Sequence, residues 1–250
     1  MTDRRVIAIT GKGGTGKTVL ATIMARILAR DKGLKVLAID ADSAISLPHM
    51  LGAKVDKTVS DIREEIIAAP DARKRLLDTH VSATIGSIVK QEAGIHLLVM
   101  GRPEGPGCFC AVNDLLRYGI EALSREFEVT IVDGEAGPEQ INRRVTESAD
   151  TLIIVADSST RSLHTADSIK HIAEAREQKP SRIGLVINRM RSETKAIMPA
   201  AQQMCTEILG CIPEDKNITE YDSNGYPIFK LPDSSPSVMA VRNILGNMGL

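Results

Sequence analysis

The sequence predicts a doubly wound α/β fold, in which helices cover both faces of a mostly parallel sheet. Short apolar runs alternate with helical patterns along all 250 residues. Runs such as residues 36–39 and 152–155 are apolar at every position, which is typical of parallel strands buried on both faces. We therefore expect a single domain over residues 1–250, with a helical insertion at about residues 47–94.

Seven strands are predicted from the apolar runs, at Arg5–Thr10, Lys35–Asp40, His96–Gly101, Glu128–Asp133, Thr151–Ala156, Arg182–Asn188 and Ile208–Pro213. Helices are predicted in most of the intervals, including Thr58–Ala69, Asp71–His80, Leu163–Gln178 and Glu193–Leu209. The interval at residues 47–94 is longer than a parallel crossover requires. Its charged helices either shield one face of the sheet or form a docking surface for a partner, and the sequence alone favours shielding.

The overall charge and the cysteine content bound the class of protein. The formal net charge of −1 gives no global attraction to nucleic acid or to anionic membrane. The four cysteines are unevenly placed and do not form the disulfide framework of a secreted domain. No apolar run approaches the roughly 20 residues that span a bilayer. We therefore expect a cytoplasmic protein that binds neither nucleic acid nor membrane.

The first predicted strand runs into a segment that matches G-x-x-x-x-G-K-[ST], the phosphate-binding loop of nucleoside triphosphatases. Its residues are Gly11, Lys12, Gly13, Gly14, Thr15, Gly16, Lys17 and Thr18. Glycines let the backbone curl until its N–H groups point at an anion. Lys17 is expected to contact the β- and γ-phosphates, and the Thr18 hydroxyl is expected to ligate Mg²⁺. The sequence therefore predicts a nucleotide site at the start of a helix.

Three further strands end in residues suited to that site. Asp40 and Asp42 follow the second strand; Asp42 is better placed to contact water or metal, whereas Asp40 organises the loop. Asp133 ends the fourth strand and suits indirect contact with Mg²⁺, and Gly137 would let a backbone N–H approach the γ-phosphate. Asn188 ends the sixth strand and can present both a donor and an acceptor to an adenine edge.

A family resemblance rests on Lys12, Asp40, Asp42, Asp133, Gly137 and Asn188. Together these positions resemble the deviant phosphate-loop ATPases, a superfamily that includes nitrogenase iron protein, cell-division and plasmid-partition ATPases, and metallochaperones. The resemblance covers nearly the whole chain. It implies ATP hydrolysis by a homodimer in which Lys12 reaches the partner's phosphates, much as an arginine finger does. Lys17 and Asp42 are then the other candidate catalytic residues.

Cys108 and Cys110 lie on a glycine- and proline-rich segment that follows the third strand, at the ligand end of the sheet. A nearby helix start favours the thiolate, which is the form that binds metal. One such pair supplies two ligands, and a two-fold dimer would supply four, for tetrahedral Zn²⁺ or square-planar Ni²⁺. Two inert thiols are the default for an isolated pair, but the position beside the dimerising loop favours a shared metal site.

The segment from Gly101 to Asn113 and the stretch from Asp133 to Glu139 resemble the carbon monoxide dehydrogenase maturation ATPases. This resemblance implies nickel or zinc at the paired cysteines on the dimer interface. It also implies ATP turnover that supports nickel insertion into carbon monoxide dehydrogenase, or into the related acetyl-CoA synthase. Ser43 departs from the family, whose members usually carry proline at that position.

The competing interpretation is a positioning ATPase that switches on DNA or on a membrane. A membrane-binding tail would be basic and amphipathic, but Pro236–Leu250 contains one basic residue and reads as a helix packed on the core. A DNA switch would need a basic surface, and the cations of the second half are interleaved with acids. A bridging iron–sulfur cluster would need cysteines after two strands, whereas Cys108 and Cys110 both follow the third.

Overall fold

The computed structural model describes residues 4–68, 81–102, 117–118, 120–137, 149–176, 179–191, 197–204 and 207–250. Its strands are β1 Arg5–Gly11, β2 Val36–Ala41, β3 Lys90–Glu92, β4 Ile95–Val99, β5 Val129–Ala136, β6 Thr151–Asp157, β7 Arg182–Met190 and β8 Glu207–Pro213. They form one eight-stranded sheet in the order β3-β4-β2-β5-β1-β6-β7-β8. The chain order reverses direction around β1, which places a switch point of the sheet beside the loop that follows β1.

The predicted strands and the doubly wound fold class are confirmed. Each of the seven predicted segments overlaps a strand, and the pairs among those strands are parallel. The prediction missed β3, which pairs antiparallel with β4 at the sheet edge. This strand is three residues long and polar, so no apolar alternation marks it in the sequence.

The helices include α1 Lys17–Arg26, α2 Leu47–Leu51, α3 Val59–Ala68, α4 Val81–Gly86, α5 Thr160–Glu174, α6 Ile197–Gln203, α7 Lys216–Ser223 and α8 Pro236–Asn247. A π-helix, Ile27–Asp31, continues α1, and a 3₁₀ turn spans Ile228–Lys230. The helix predicted over Glu193–Leu209 is wrong at its C-terminal end, because β8 already begins at Glu207. The helix predicted over Asp71–His80 lies outside the described residues, and the single-domain prediction stays a prediction.

The side chains of each strand alternate between two cores, one on each face of the sheet. In β2, Val36 and Ala38 join the first core, whereas Leu37 and Ile39 join the second. Helices α1 and α8 contribute to the first core, and helices α3 and α5 contribute to the second. This alternation decides which strand-end side chains can reach α1, because only residues in phase with Val36 and Ala38 lie on that face.

Helix α8 packs on the first core, as predicted for this part of the sequence. Its apolar side chains at Val238, Val241, Ile244 and Leu245 are buried. Three cationic side chains, those of Arg5, Lys32 and Arg182, donate to the carbonyl oxygens that follow or end the helix. These contacts satisfy acceptors that a helix C-terminus leaves unpaired. Within the described part of the chain, no helix combines the length and apolarity that crossing a membrane demands.

Candidate nucleotide site

The phosphate loop (Gly11–Thr18) connects β1 to the N-terminus of α1, as the sequence predicts. Gly16 caps the helix in the left-handed conformation, with φ of 91°. The loop also closes on itself, since the Thr15 hydroxyl donates to the Lys12 carbonyl oxygen at 2.8 Å. The first backbone N–H groups of α1 have no partners within the helix, so the loop and helix together form a site for an anion.

Gly11 is the glycine with the strictest steric requirement in the phosphate loop. Its φ is 146°, and a Cβ atom there would lie 2.2 Å from the carbonyl oxygen of Val155 on the neighbouring strand β6. Because that oxygen belongs to the backbone, no rotamer change could relieve the contact. The close pairing of β1 with β6 therefore fixes where the loop leaves the sheet.

Lys17 is the cation at the floor of the site, and its side chain is 7% exposed. Burial lowers the pKa of its ammonium group, while the nearby carboxylates of Asp133 and Asp42 raise it. The structure therefore brings together three of the predicted site residues. A buried ammonium group held beside carboxylates is a strong electrostatic partner for a triphosphate, because the low local dielectric strengthens the attraction.

Asp133 lies on the same face of the sheet as α1 and is fully buried. Neither of its carboxylate oxygens has a hydrogen-bond partner of normal geometry within the described residues. Burial raises the pKa of this carboxyl to about 7, although the Thr18 hydroxyl and the Lys17 ammonium favour the ionised form. An unpaired buried carboxylate beside a hydroxyl is the donor set that Mg²⁺ prefers. Thr18 and Asp133 thus fit the magnesium ion that the fold implies.

Asp40, in register with Asp133 on the adjacent strand, is bonded instead to its own loop. Its two oxygens accept from the backbone N–H groups of Asp42 at 3.0 Å and Leu47 at 2.9 Å. Burial raises its pKa to about 6, and those two hydrogen bonds lower it. Asp40 therefore organises the loop after β2, as expected. The half-exposed Asp42 accepts from the backbone N–H of Ala44 at 2.9 Å, and its carboxylate raises the pKa of Lys17.

Two predicted ligand residues contact the phosphate loop itself, and their roles at the nucleotide stay predictions. The backbone N–H of Gly137 donates to the Gly11 carbonyl oxygen at 3.1 Å, so it binds the phosphate loop and does not point into the site. The Asn188 side chain is 7% exposed, and its amide nitrogen donates to the Thr15 carbonyl oxygen at 2.7 Å. Both residues do lie at the site. The sequence could not show that a loop carbonyl would compete for their donors.

Sequence reasoning also missed two residues with strained backbones at this edge of the sheet. Ile45, in the loop after β2, has φ of 50°, and Arg189, next to Asn188, has φ of 54°. A β-branched residue at positive φ is rare, and strain of this kind concentrates at functional sites. No sequence signal marks either position, because neither is glycine, asparagine or aspartate.

Cys108 and Cys110 lie outside the described residues, so the structure does not describe the predicted thiolate site. Elsewhere in the described chain, no group of three or more His, Cys, Asp or Glu side chains is arranged to hold a metal ion. Cys211 is partly buried, and its sulfur lies 3.8 Å from that of Met198. Burial raises the pKa of the Cys211 thiol, which disfavours the metal-binding thiolate.

A family model and several known proteins match most of this chain. The family model of the CobQ/CobB/MinD/ParA nucleotide binding domain matches residues 6–228. An uncharacterized ATP-binding protein of Methanocaldococcus jannaschii is 38% identical over 245 residues, which is 96% of each chain. The carbon monoxide dehydrogenase accessory protein CooC of Rhodospirillum rubrum is 32% identical over 240 residues, covering 90% of this chain and 89% of the relative.

Solved structures resemble this chain along its whole length. The cell-division ATPase MinD of Pyrococcus furiosus superposes with a TM-score of 0.75 at 23% identity, covering 99% of both chains. At that identity the likeness concerns the fold, and it matches the sheet and helices described above.

Proposed function

This chain belongs to the CobQ/CobB/MinD/ParA family of nucleotide-binding proteins and is an ATPase; from that premise we propose that it is a dimeric metallochaperone. In this proposal, ATP turnover supports the insertion of nickel into carbon monoxide dehydrogenase or the related acetyl-CoA synthase. The observation that carries it is the similarity to a carbon monoxide dehydrogenase accessory protein along most of both chains. The Cys-x-Cys segment supports it, because paired thiolates suit a transition metal.

The phosphate loop and its neighbours supply the nucleotide chemistry. The triphosphate lies against the loop amides and the Lys17 ammonium group, which neutralise its charge. The Thr18 hydroxyl would ligate Mg²⁺ and the Asp133 carboxylate would hold it through indirect contact, and the ion would neutralise the phosphate oxygens further. Asp42, half-exposed beside Lys17, orients the attacking water. These assignments follow from charge and burial on one face of the sheet.

Lys12 is the residue that makes the reaction depend on a second subunit. Its side chain is half-exposed at the open side of the loop, between the buried Gly11 and the exposed Gly13. We place its ammonium group on the triphosphate of the partner subunit, where it stabilises charge that develops in the transition state. Hydrolysis would then occur only after two subunits have closed around nucleotide.

The coupling of ATP turnover to metal transfer has a thermodynamic requirement. ATP can drive metal transfer only if the open and closed dimers differ in their affinity for the metal. Cys108 and Cys110 of the two subunits provide four thiolates whose spacing depends on dimer geometry. Loss of the γ-phosphate would separate the pairs and release nickel, the cargo, to the client enzyme.

The proposal is tested by the metal content and mass of the purified protein, with and without ATP. We expect about one nickel or zinc ion per dimer, lost in the Cys108→Ser/Cys110→Ser variant. Cys211→Ser is the matched control, because its thiol packs on Met198, and this variant should keep the metal. A wild type that holds no thiolate-dependent metal, yet binds DNA or liposomes when ATP is added, would instead be a positioning ATPase.

The role of Lys12 has a separate test. Lys12→Gln should still bind ATP but should lose ATP-dependent dimerisation, and its turnover should fall by about 10²-fold or more. Lys54→Gln, at an exposed lysine outside the loop, is the control and should behave as wild type. Full turnover by Lys12→Gln would rule out a catalytic contact between this lysine and the partner's phosphates.

A further inference from the structure

Ser60, the second residue of α3, ties the helical insertion to the end of β4. Its backbone N–H and its side-chain hydroxyl both donate to the carbonyl oxygen of Met100, each at 2.9 Å. Met100 directly follows β4, and Ser60 is buried. Two hydrogen bonds from one buried residue to one carbonyl oxygen fix where β4 ends relative to α3.

The Ser60 hydroxyl is not needed to cap the helix. Thr58 precedes α3, and its hydroxyl oxygen accepts from the backbone N–H of Asp61 at 3.3 Å. In return, the Asp61 carboxylate accepts from the backbone N–H of Thr58 at 2.7 Å and from its hydroxyl at 2.8 Å. Such a reciprocal pair is a capping box. The bond from the Ser60 hydroxyl to Met100 therefore joins two elements of the fold.

Gly101 allows α3 to lie this close to the chain that leaves β4. Its φ is 75°, and a Cβ atom there would lie 2.4 Å from the Thr58 hydroxyl oxygen and 2.8 Å from the Thr58 Cβ atom. The Thr58 hydroxyl could not move aside without breaking its bonds to Asp61. A side chain at position 101 would therefore push the N-terminus of α3 away from β4.

Met100 is also bonded to the nucleotide site. Its backbone N–H donates to the carbonyl oxygen of Asp40 at 2.8 Å. The carboxylate of Asp40 in turn holds the loop after β2, through the backbone N–H groups of Asp42 and Leu47. Met100 thus lies between the loop that carries Asp42 and the N-terminus of α3, with a backbone hydrogen bond to each side.

We propose that the junction formed by Ser60, Met100 and Gly101 couples the nucleotide site to the segment that bears Cys108 and Cys110. A shift of the loop after β2, when the γ-phosphate leaves, would reach that segment through the bond between β2 and Met100. Helix α3, which packs on the second core, is the fixed side against which the shift acts. The inference rests on the proposed function, since it concerns metal at the paired cysteines, and it makes Ser60 and Gly101 positioning residues.

The coupling is measured as the ratio of the Ni²⁺ dissociation constants with and without a non-hydrolysable Mg²⁺–ATP analogue, by competition with a chromophoric chelator. In wild type the two constants should differ by about 5- to 150-fold, as is usual for linked sites. In Gly101→Ala they should agree within about twofold, because the new Cβ forces α3 away from β4. Gly94→Ala is the matched control and should keep the wild-type ratio. Its φ is 83°, but a Cβ atom there meets nothing within 4 Å.

Ser60→Ala is the gentler variant, because it removes the hydroxyl and leaves the backbone N–H bond to Met100. Loss of one hydrogen bond should lower the coupling ratio by about twofold to tenfold. Ser168→Ala should leave the ratio unchanged, since the Ser168 hydroxyl donates to the His164 carbonyl oxygen within α5. A wild-type ratio in Ser60→Ala, or equal losses in the two glycine variants, would overturn the inference and leave the proposed function standing. A wild type whose two constants are equal would overturn both.

Discussion

The two ends of helix α1 both hold a buried cation beside an aspartate, but they differ in how the aspartate is hydrogen-bonded. Its N-terminal end begins at Lys17 and lies beside the buried carboxylate of Asp133, whose oxygens have no partner of normal geometry within the described residues. Its C-terminal end holds Arg26, whose side chain is 1% exposed and whose guanidinium donates to the Leu231 carbonyl oxygen at 2.6 Å and to Asp233 at 2.5 Å. Both ends contain buried charge, but the Arg26 guanidinium has two hydrogen-bond acceptors at normal distance, whereas the Asp133 oxygens have no partner of normal geometry within the described residues.

The C-terminal cluster extends beyond one pair. Asp233 also accepts from Arg30 on the π-helix and from Arg242 on α8, and Arg242 reaches Asp31 as well. Two aspartates thus join three arginines from three segments of the chain. Buried polar groups that a fold satisfies internally serve stability, whereas those it leaves unsatisfied are kept for a ligand. The comparison predicts that mutations at the two ends will separate activity from stability.

The largest effect is expected at the ligand end. Asp133→Asn removes the charge that we propose for Mg²⁺ while keeping the shape of the side chain, so ATP turnover should fall by about 10²- to 10³-fold. Asp157→Asn is the control, because Asp157 also ends a strand at this edge but accepts from the Ser159 backbone N–H. That variant should stay within about tenfold of wild type. Equal losses in the two variants would contradict a specific role for Asp133.

At high pH, Asp133→Asn should be more stable than wild type, although its ATP turnover is lower. The pKa of Asp133 is about 7 in the folded chain and ordinary, near 4, when unfolded. Between these values the folded state binds the extra proton, so the free energy of unfolding falls as pH rises from about 4 to 7. The loss amounts to at most about 4 kcal/mol, at about 1.4 kcal/mol per pH unit.

Urea unfolding at pH 5 and pH 8, with chelator and without nucleotide, measures this dependence. Asp133→Asn should resemble wild type at pH 5 and should be the more stable protein at pH 8, because it has no proton to lose. Asp40, whose pKa is raised to about 6, titrates in both proteins, and its charge also raises the pKa of Asp133, so the difference between the proteins includes this coupling. A wild type that shows the same pH dependence as the variant would mean that the Asp133 carboxyl is solvated.

Local sequence patterns predict much of the ligand end. The loop motif fixes Lys17 and Thr18, and the apolar strand before Asp133 implies that its carboxyl lies at the same edge of the sheet. Strand periodicity also predicts which face it occupies. What the sequence does not contain is the competition for donors: the amides of Gly137 and Asn188 bond to loop carbonyls, which depends on distances between distant segments.

The C-terminal cluster could not be predicted for the same reason. Arg26 and Asp233 are 207 positions apart, and an arginine on an amphipathic helix is ordinarily solvated. The π-helix that follows Arg26 carries Arg30 and Asp31, and its wider turn has no periodic signal of its own. Long-range pairing of charges is a property of the assembled fold.

Arg26→Met tests the structural end of α1, with a smaller expected effect. Methionine keeps most of the apolar stem but leaves the buried Leu231 carbonyl oxygen without its donor. The free energy of unfolding should therefore fall by about 2–3 kcal/mol. Arg30 is more exposed, and solvent screens its ion pairs, so Arg30→Met should lower the free energy of unfolding by less than about 1 kcal/mol. Affinity for Mg²⁺–ATP should stay within about twofold of wild type in both. Should Arg26→Met weaken ATP binding as strongly as it weakens folding, the two ends of α1 would be coupled, and their separation into a ligand end and a structural end would fail.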